Sequence, residues 1–534
     1  MDLLGSGGYH GVNQIAVGFW IPQSHSDELA VMVWSRQVLG SWTFCKMLEW
    51  RNWQTHWTQN PAPFTGHEGS SPSSSTSGAA EGDGRDGCAN PWFAKPLVAL
   101  LIGVATIPAL PAPAQEPARP DADPPEAANP AGKPDWLSLG GEFRVRYENR
   151  QNLGYREGSD DGYLLVRTRL DIGIEPTDWL KFGFQGQDAR APAIREGVGN
   201  IGAFRDGFDI RQAYVRIGRS QSPVAVTVGR QLLAYGDQRL VGALDWANTS
   251  RAFDAVKLEL RASSAKVDVF SASVVQNDPF RRINQSAEGN NLHGVYGAIE
   301  DVIPGSTLEP YVLWQTTPVV VDELNVRGDM DRYTAGLRVW GSDLGPWDYN
   351  VALVGQRGDL AGASIEAWAY YAELGYSIDA NLDPRLYVDY NFGSGDDDPS
   401  DGVLGGFVDI YPTAHRWYGY NDLVGWRNLK NIRLGAEVKP HRKLGLQFDF
   451  HSYWLVSKRD ALYNVGGRLA VAPPPEGATE AKVGDELNAT FSAAVTEAIG
   501  LSGGIGYMFP GPYLKANSPG HGNTFSYLAI AIKF

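Results

Sequence analysis

Cysteine is nearly missing: the 534 residues hold two, Cys45 and Cys88, both in the first hundred. No disulfide framework or zinc-finger spacing is therefore open to the rest of the chain. Long apolar runs are scarce as well. Outside one N-terminal stretch no eighteen consecutive residues are strongly apolar, which excludes a protein of membrane-spanning helices. Positive charge is in deficit. The 46 Lys and Arg against 61 Asp and Glu leave a net charge of −15, the wrong sign for a nucleic-acid surface. Catalytic signatures are scarce as well: there is no H-E-x-x-H and no Walker motif. His415 and His451 stand alone, and carboxylate pairs are too common to single out a glycosidase pair. The expectation is a non-enzyme that needs no cofactor or metal.

Aromatics are abundant, with 17 Trp and 23 Tyr, and they fall unevenly along three pieces of chain. Residues 1–90 carry Trp20, Trp34, Trp42, Trp50, Trp53 and Trp57 with no helical or strand period, then run into Ser-rich low complexity at 70–75. The stretches 50–56 and 66–72 resemble a translated transfer-RNA gene, so the expectation is a disordered extension from a start codon placed too far upstream. Residues 91–114 read as a secretory signal peptide. Lys95 precedes the apolar run Leu97–Leu110, and Ala112-Pro113-Ala114 supplies an A-x-A cleavage site. Residues 115–135 are Pro, Ala and acid, a flexible linker.

From 136 to 534 one texture persists. Leu139, Gly141, Phe143, Val145 and Tyr147 alternate with Gly140, Glu142, Arg144, Arg146 and Glu148; Leu164, Val166, Thr168, Leu170 and Ile172 alternate with Leu165, Arg167, Arg169 and Asp171. Strand side chains point to opposite faces in turn, so each segment has one apolar and one charged face. A soluble antiparallel sheet also alternates. Segments of about 9–11 residues, short turns alternating with long Asp/Gly-rich loops, and Trp179, Trp314, Trp340, Trp347 and Trp454 near segment ends favour a membrane. The expected fold is all-β: a closed transmembrane antiparallel barrel of about 18 strands in a bacterial outer membrane, in which every backbone group pairs around the ring. The last segment, Leu528, Ile530, Ile532 and terminal Phe534, resembles the signal read by barrel assembly machinery.

Several motifs carry a family resemblance. Val228-Gly229-Arg230-Gln231, Tyr235-Gly236-Asp237-Gln238-Arg239-Leu240 through Trp246, and Arg251-Ala252-Phe253-Asp254 are similar to the alginate export family of outer-membrane proteins. So are Arg211-Gln212-Ala213-Tyr214, residues 411–420 and residues 459–463. The resemblance covers about 136–534. It implies an 18-stranded barrel that passes an anionic polysaccharide outward through an arginine-lined pore, with periplasmic scaffold proteins as possible partners.

Arginine suits a polyuronate because its planar fork pairs with carboxylate and stays charged. Parity places Arg144, Arg146, Arg167, Arg169, Lys181, Arg216, Arg338 and Arg433 on charged faces, alongside Glu142, Glu148, Asp171, Asp389 and Asp449. A second group, Arg230, Asp237, Arg239 and Arg251 with Asp254, falls within 25 residues and forms either a constriction with an inward loop or a structural ion-pair network. Opposed Arg and Glu also neutralise each other across strands. Asp396-Asp397-Asp398 with Asp401 reads as solvated loop, with Ca²⁺ binding as the lesser reading because the EF-hand spacing is missing. The leading expectation is a channel for an anionic polysaccharide. An uptake porin for small anionic or sugar solutes is the alternative, and an outer-membrane enzyme is the alternative of another class.

Overall fold

The structure, a computed structural model, describes residues 15–19, 31–35, 134–192, 202–219, 221–321 and 325–534. The chain divides into two units, 1–104 and 105–534. In the first, Ile15–Phe19 and Val31–Ser35 pair as a short antiparallel ladder, in a stretch where the sequence shows no period. The rest of the 1–90 extension, the signal peptide at 91–114 and the linker as far as residue 133 lie outside the described residues.

In the second unit the alternating segments become eighteen strands. They are β1 Leu137–Gln151, β2 Asp161–Thr177, β3 Leu180–Arg190, β4 Asp206–Ile217, β5 Val224–Gln231 and β6 Phe253–Arg261. Then come β7 Ala265–Val275, β8 Ser286–Glu300, β9 Ser306–Val321, β10 Arg327–Leu344, β11 Trp347–Leu360 and β12 Ala363–Ser377. The last six are β13 Arg385–Gly393, β14 Leu429–His441, β15 Leu444–Leu455, β16 Lys482–Ala494, β17 Ile499–Pro510 and β18 Asn523–Lys533. Each pairs antiparallel with its neighbour, and β18 closes on β1 from Thr524↔Gln151 to Lys533↔Glu142. Closure leaves no sheet edge to satisfy. At the seam Phe534 lies over Gly141, where any side chain would collide with its ring, and the two backbones exchange hydrogen bonds of 2.8 and 3.2 Å.

Strand parity sets the faces. On β2 Leu170 is 51% exposed while its neighbour Arg169 is 6% exposed. The outer wall is the row of exposed Leu, Val, Ile and Phe. Trp136, Trp179, Trp347 and Tyr376 girdle one end of it, and Trp314, Tyr333, Trp368 and Tyr507 lie toward the other. Trp340 departs from the expected girdle. Its parity is that of Arg338, so it faces inward, donates its indole N–H to Glu309 (2.9 Å) and carries the Arg338 guanidinium on its ring.

The connections at one end are short (178–179, 262–264, 345–346, 442–443), and the long ones (191–205, 232–252, 394–428, 456–481) lie at the other. The compact apolar cluster of the fold lies inside the barrel at the long-loop end. Leu233 and Val241 of the 232–252 loop, Phe407, Trp417, Tyr418 and Trp426 of the 394–428 loop, and Leu462 and Val471 of the 456–481 loop are all buried there.

Candidate functional site

Two loops cross the lumen and hold each other. Tyr411 N–H donates to the Leu240 carbonyl (2.7 Å), Gly242 N–H donates to the Tyr411 carbonyl (2.8 Å), and Thr413 N–H donates to that of Gln238 (2.8 Å). Arg251 adds donations to the Tyr411 and Gly242 carbonyls (2.6 and 2.9 Å). A loop inside a barrel must satisfy its own backbone groups, and this pairing does so.

The 232–252 loop reaches two opposite walls. On the β1–β2–β4 side its Asp245 meets three guanidinium groups: Arg169 (2.7 Å), Arg167 (3.1 Å) and Arg211 (3.4 Å). Arg144 and Arg146 donate to the next carbonyls, those of Asp245 (3.2 Å) and Trp246 (2.8 Å), and Arg146 lies 3.9 Å over the Trp246 ring. Burial alone would raise the Asp245 pKa. The facing guanidinium groups outweigh it and hold the carboxylate well below its ordinary range.

On the β9–β14 side Asp237 and Arg239 pair at 3.0 Å. Arg239 is 1% exposed, reaches Asp389 at 3.3 Å and Asn391, and is sandwiched between the Tyr371 and Trp417 rings at 3.9 and 4.0 Å. Arg433 continues the chain of charges to Glu373 (2.8 Å) and Asp389 (3.5 Å), and Arg338 pairs with Glu309 (2.9 Å). The gap between Asp237, Arg239, Tyr296 and Arg338 holds about 20 Å³, room for one water. This side of the lumen is sealed by the loop.

The remaining candidates lie apart. Lys181 pairs with Glu175 (2.7 Å) at the short-turn end. Arg216 pairs with Glu259 on β6. Arg230 pairs with Asp254 (2.8 Å) and donates to the Asn284 carbonyl (2.9 Å). The group spaced within 25 residues is thus three separate contacts: Arg230 on the wall, Asp237 and Arg239 across the lumen, and Arg251 between the loops. The acids at 396–401 cap turns, with Asp396 accepting the Asp398 and Gly405 N–H groups at 3.0 and 3.2 Å. Among the described residues no cluster of three or more His, Cys, Asp or Glu is placed to hold a metal. A groove of about 600 Å³ lies on the outer wall between Phe448, Leu487 and Ile505. It faces lipid, not the lumen.

Asp245, Trp246, Arg211 and His415 were not among the expected residues. Arg211 has the wrong parity relative to Arg216. The β3–β4 register slips there, with Gln185↔Gln212 followed by Gly186↔Ile210. Arg211 is the extra residue of that bulge, and bulges re-aim side chains. Asp245 and Trp246 lie in a loop without a period, visible only as part of the family motif. His415 stacks on Trp246 at 3.7 Å and bonds Asp422 at 2.7 Å, tying the 394–428 loop to the same wall.

A closed eighteen-strand barrel with an apolar outer wall, aromatic girdles and a polar interior is the architecture of an outer-membrane channel. The chain belongs to the alginate export family, whose model matches residues 135–527. The protein is therefore a transport channel of the outer membrane rather than an enzyme. Among solved structures the barrel is similar to that of Pseudomonas aeruginosa OpdK with vanillate (TM-score 0.52, 10% identity, covering 74% of this chain and 98% of that one). It is also similar to P. aeruginosa OccK3 (0.51, 13%, 74% and 95%) and Acinetobacter baumannii OccAB1 (0.51, 12%, 74% and 97%). At such identities the likeness is one of fold. No curated protein matches the chain in sequence.

Proposed function

We propose that the barrel passes an anionic polysaccharide of the polyuronate class, with Arg144, Arg146, Arg167 and Arg169 as the residues that meet its carboxylates. One observation carries this reading: three guanidinium groups, from β2 and β4, converge on a single carboxylate inside the lumen. Two unit charges about 4 Å apart attract by roughly 4 kcal/mol at an effective dielectric near 20, so a few such groups dominate which ions enter. The acids that share these faces keep each site weak, as passage requires. Family membership supports the polymer, and the alternating Leu528, Ile530 and Ile532 of β18 fit recognition by the assembly machinery. Periplasmic scaffold proteins belong to the same reading.

A second reading, a porin for small carboxylates, is favoured by the sealed gap beside Arg239, since a loop that stays in place leaves a narrow path. OpdK, whose structure holds vanillate, shares the fold.

Liposome swelling separates the two. Proteoliposomes should swell in oligogalacturonate solutions across a range of chain lengths and faster than in neutral oligosaccharides of equal size. Swelling with galacturonate monomer alone would favour the small-solute porin, and equal rates for neutral and acidic sugars would sink both.

A further inference from the structure

We infer that the seat on the β1–β2–β4 wall is a carboxylate-exchange site, with Asp245 as its resident ligand: a carboxylate arriving in the lumen displaces Asp245 and releases the loop that crosses the barrel. The inference rests on the reading of the lumen as a path for carboxylate-bearing solutes, and it adds how that path opens.

The seat has the form of a carboxylate site. Oδ1 of Asp245 accepts from Arg169 (2.7 Å), from the Ser250 hydroxyl (2.9 Å) and from Arg211 (3.4 Å), while Oδ2 accepts from Arg167 (3.1 Å). Guanidinium forks converging on both oxygens are how proteins bind free carboxylates.

Three further observations make this occupant replaceable. The Asp245 side chain is 32% exposed, whereas those of Arg167 and Arg169 are 1% and 7% exposed. The guanidinium groups are thus fixed from behind while the carboxylate is open to an approaching solute. The seat also holds a guanidinium that forms no ion pair among the described residues. Arg144 donates to the Asp245 carbonyl (3.2 Å) and the Asn248 side-chain oxygen (3.5 Å), and among the described residues no carboxylate lies within ion-pair distance of it. A second carboxylate can therefore begin to bind on Arg144 before Asp245 leaves. Finally, the segment is bent through left-handed backbone at Leu244 (φ 51°) and Ser250 (φ 60°), a conformation that side chains other than glycine adopt only when the surroundings enforce it. Release relaxes it. The Asp237–Arg239 clasp on the opposite wall keeps the loop attached, so it swings rather than unfolds.

The exchange is read on the full-length barrel with sodium galacturonate as the probe and glucose as the neutral control. In the unmodified protein, galacturonate should speed amide hydrogen exchange of residues 242–250 and glucose should not. Asp245→Asn, checked for assembly by heat-modifiable gel mobility, should bind galacturonate about tenfold more tightly, because the internal competitor no longer withholds the competent state. Loop exchange indifferent to galacturonate would overturn the proposal, and so would unchanged affinity in the assembled variant. If the variant does not assemble, the hydrogen-exchange arm decides alone. Galacturonate that frees the loop in a barrel that fails to admit oligogalacturonate would leave the exchange site standing and remove the polyuronate reading. The opposite pair of results would remove the exchange site and leave that reading.

Discussion

Single side chains here do work that their strand parity announces only in part. Parity separates Leu170 from Arg169, and Leu170→Arg should cost about 2–4 kcal/mol near the bilayer midplane. Denaturant titration of the refolded barrel measures this, with Leu170→Ile as the near-neutral control. Parity says nothing of Arg239, which sits on a loop. Its guanidinium is held by Asp237 and Asp389 and flanked by two aromatic rings. Arg239→Met removes one partner of a buried ion pair, a change that costs about 3–5 kcal/mol where the other charge stays buried. Because the strands keep their own ladders, that loss should fall on the loop: single-channel conductance should rise and fluctuate while heat-modifiable mobility stays normal. A quiet channel of unchanged conductance would show that the clasp does not hold the loop. The face of a strand residue is legible at this scale except where a bulge intervenes, as at Arg211. The partner is not, because Asp245 and Arg239 are brought together with β2 and β13 by loop paths that carry no period.

At the scale of elements, strands and loops differ in how far sequence reaches them. The strands follow from alternation and turn chemistry, including β7 and β8, whose alternation is weak but whose mutual ladder runs through ten residue pairs. The long connections read only as polar and glycine-rich, yet 232–252 and 394–428 turn inward. Their buried residues, such as Leu233, Val241, Phe407 and Trp426, pack on one another and on inward wall residues such as Phe253, Leu313 and Val354. Asp409, on the second loop, offers a test of that packing. Burial pushes its pKa up to about 7, against the partial relief of Arg251 on the first loop and Arg332 on β10. A carboxyl with a raised folded-state pKa favours the packed loop while protonated, and that contribution is lost as pH rises from the ordinary carboxylate range through about 7. Loop closure should therefore be tighter at mildly acidic pH than at mildly alkaline pH. Channel conductance recorded across that window should climb with pH, and Asp409→Asn should flatten the climb. A conductance that falls with rising pH in the unmodified channel would contradict the assignment.

The whole molecule presents an opposition of charge. The chain carries a net −15, while one wall of its lumen gathers Arg144, Arg146, Arg167, Arg169 and Arg211 around the Asp245 seat. Composition alone argues against an anionic partner; placement reverses that argument, because a solute inside a barrel feels the lumen and not the sum. The fold class, the closure and the family motifs are all legible in the amino-acid sequence. The crossing of the lumen by two paired loops is not, since it depends on contacts between residues 150 or more apart, such as Arg251 with Tyr411 and Arg239 with Asp389. The central claim is that this lumen favours anions. It is tested most directly by the zero-current potential of the full-length barrel in a planar bilayer under a KCl gradient. The expected potential has the sign set by chloride permeability and shifts toward potassium when Arg144 and Arg146 are both replaced by Glu. A potassium-selective parent channel, or a selectivity indifferent to that replacement in an assembled barrel, would contradict it.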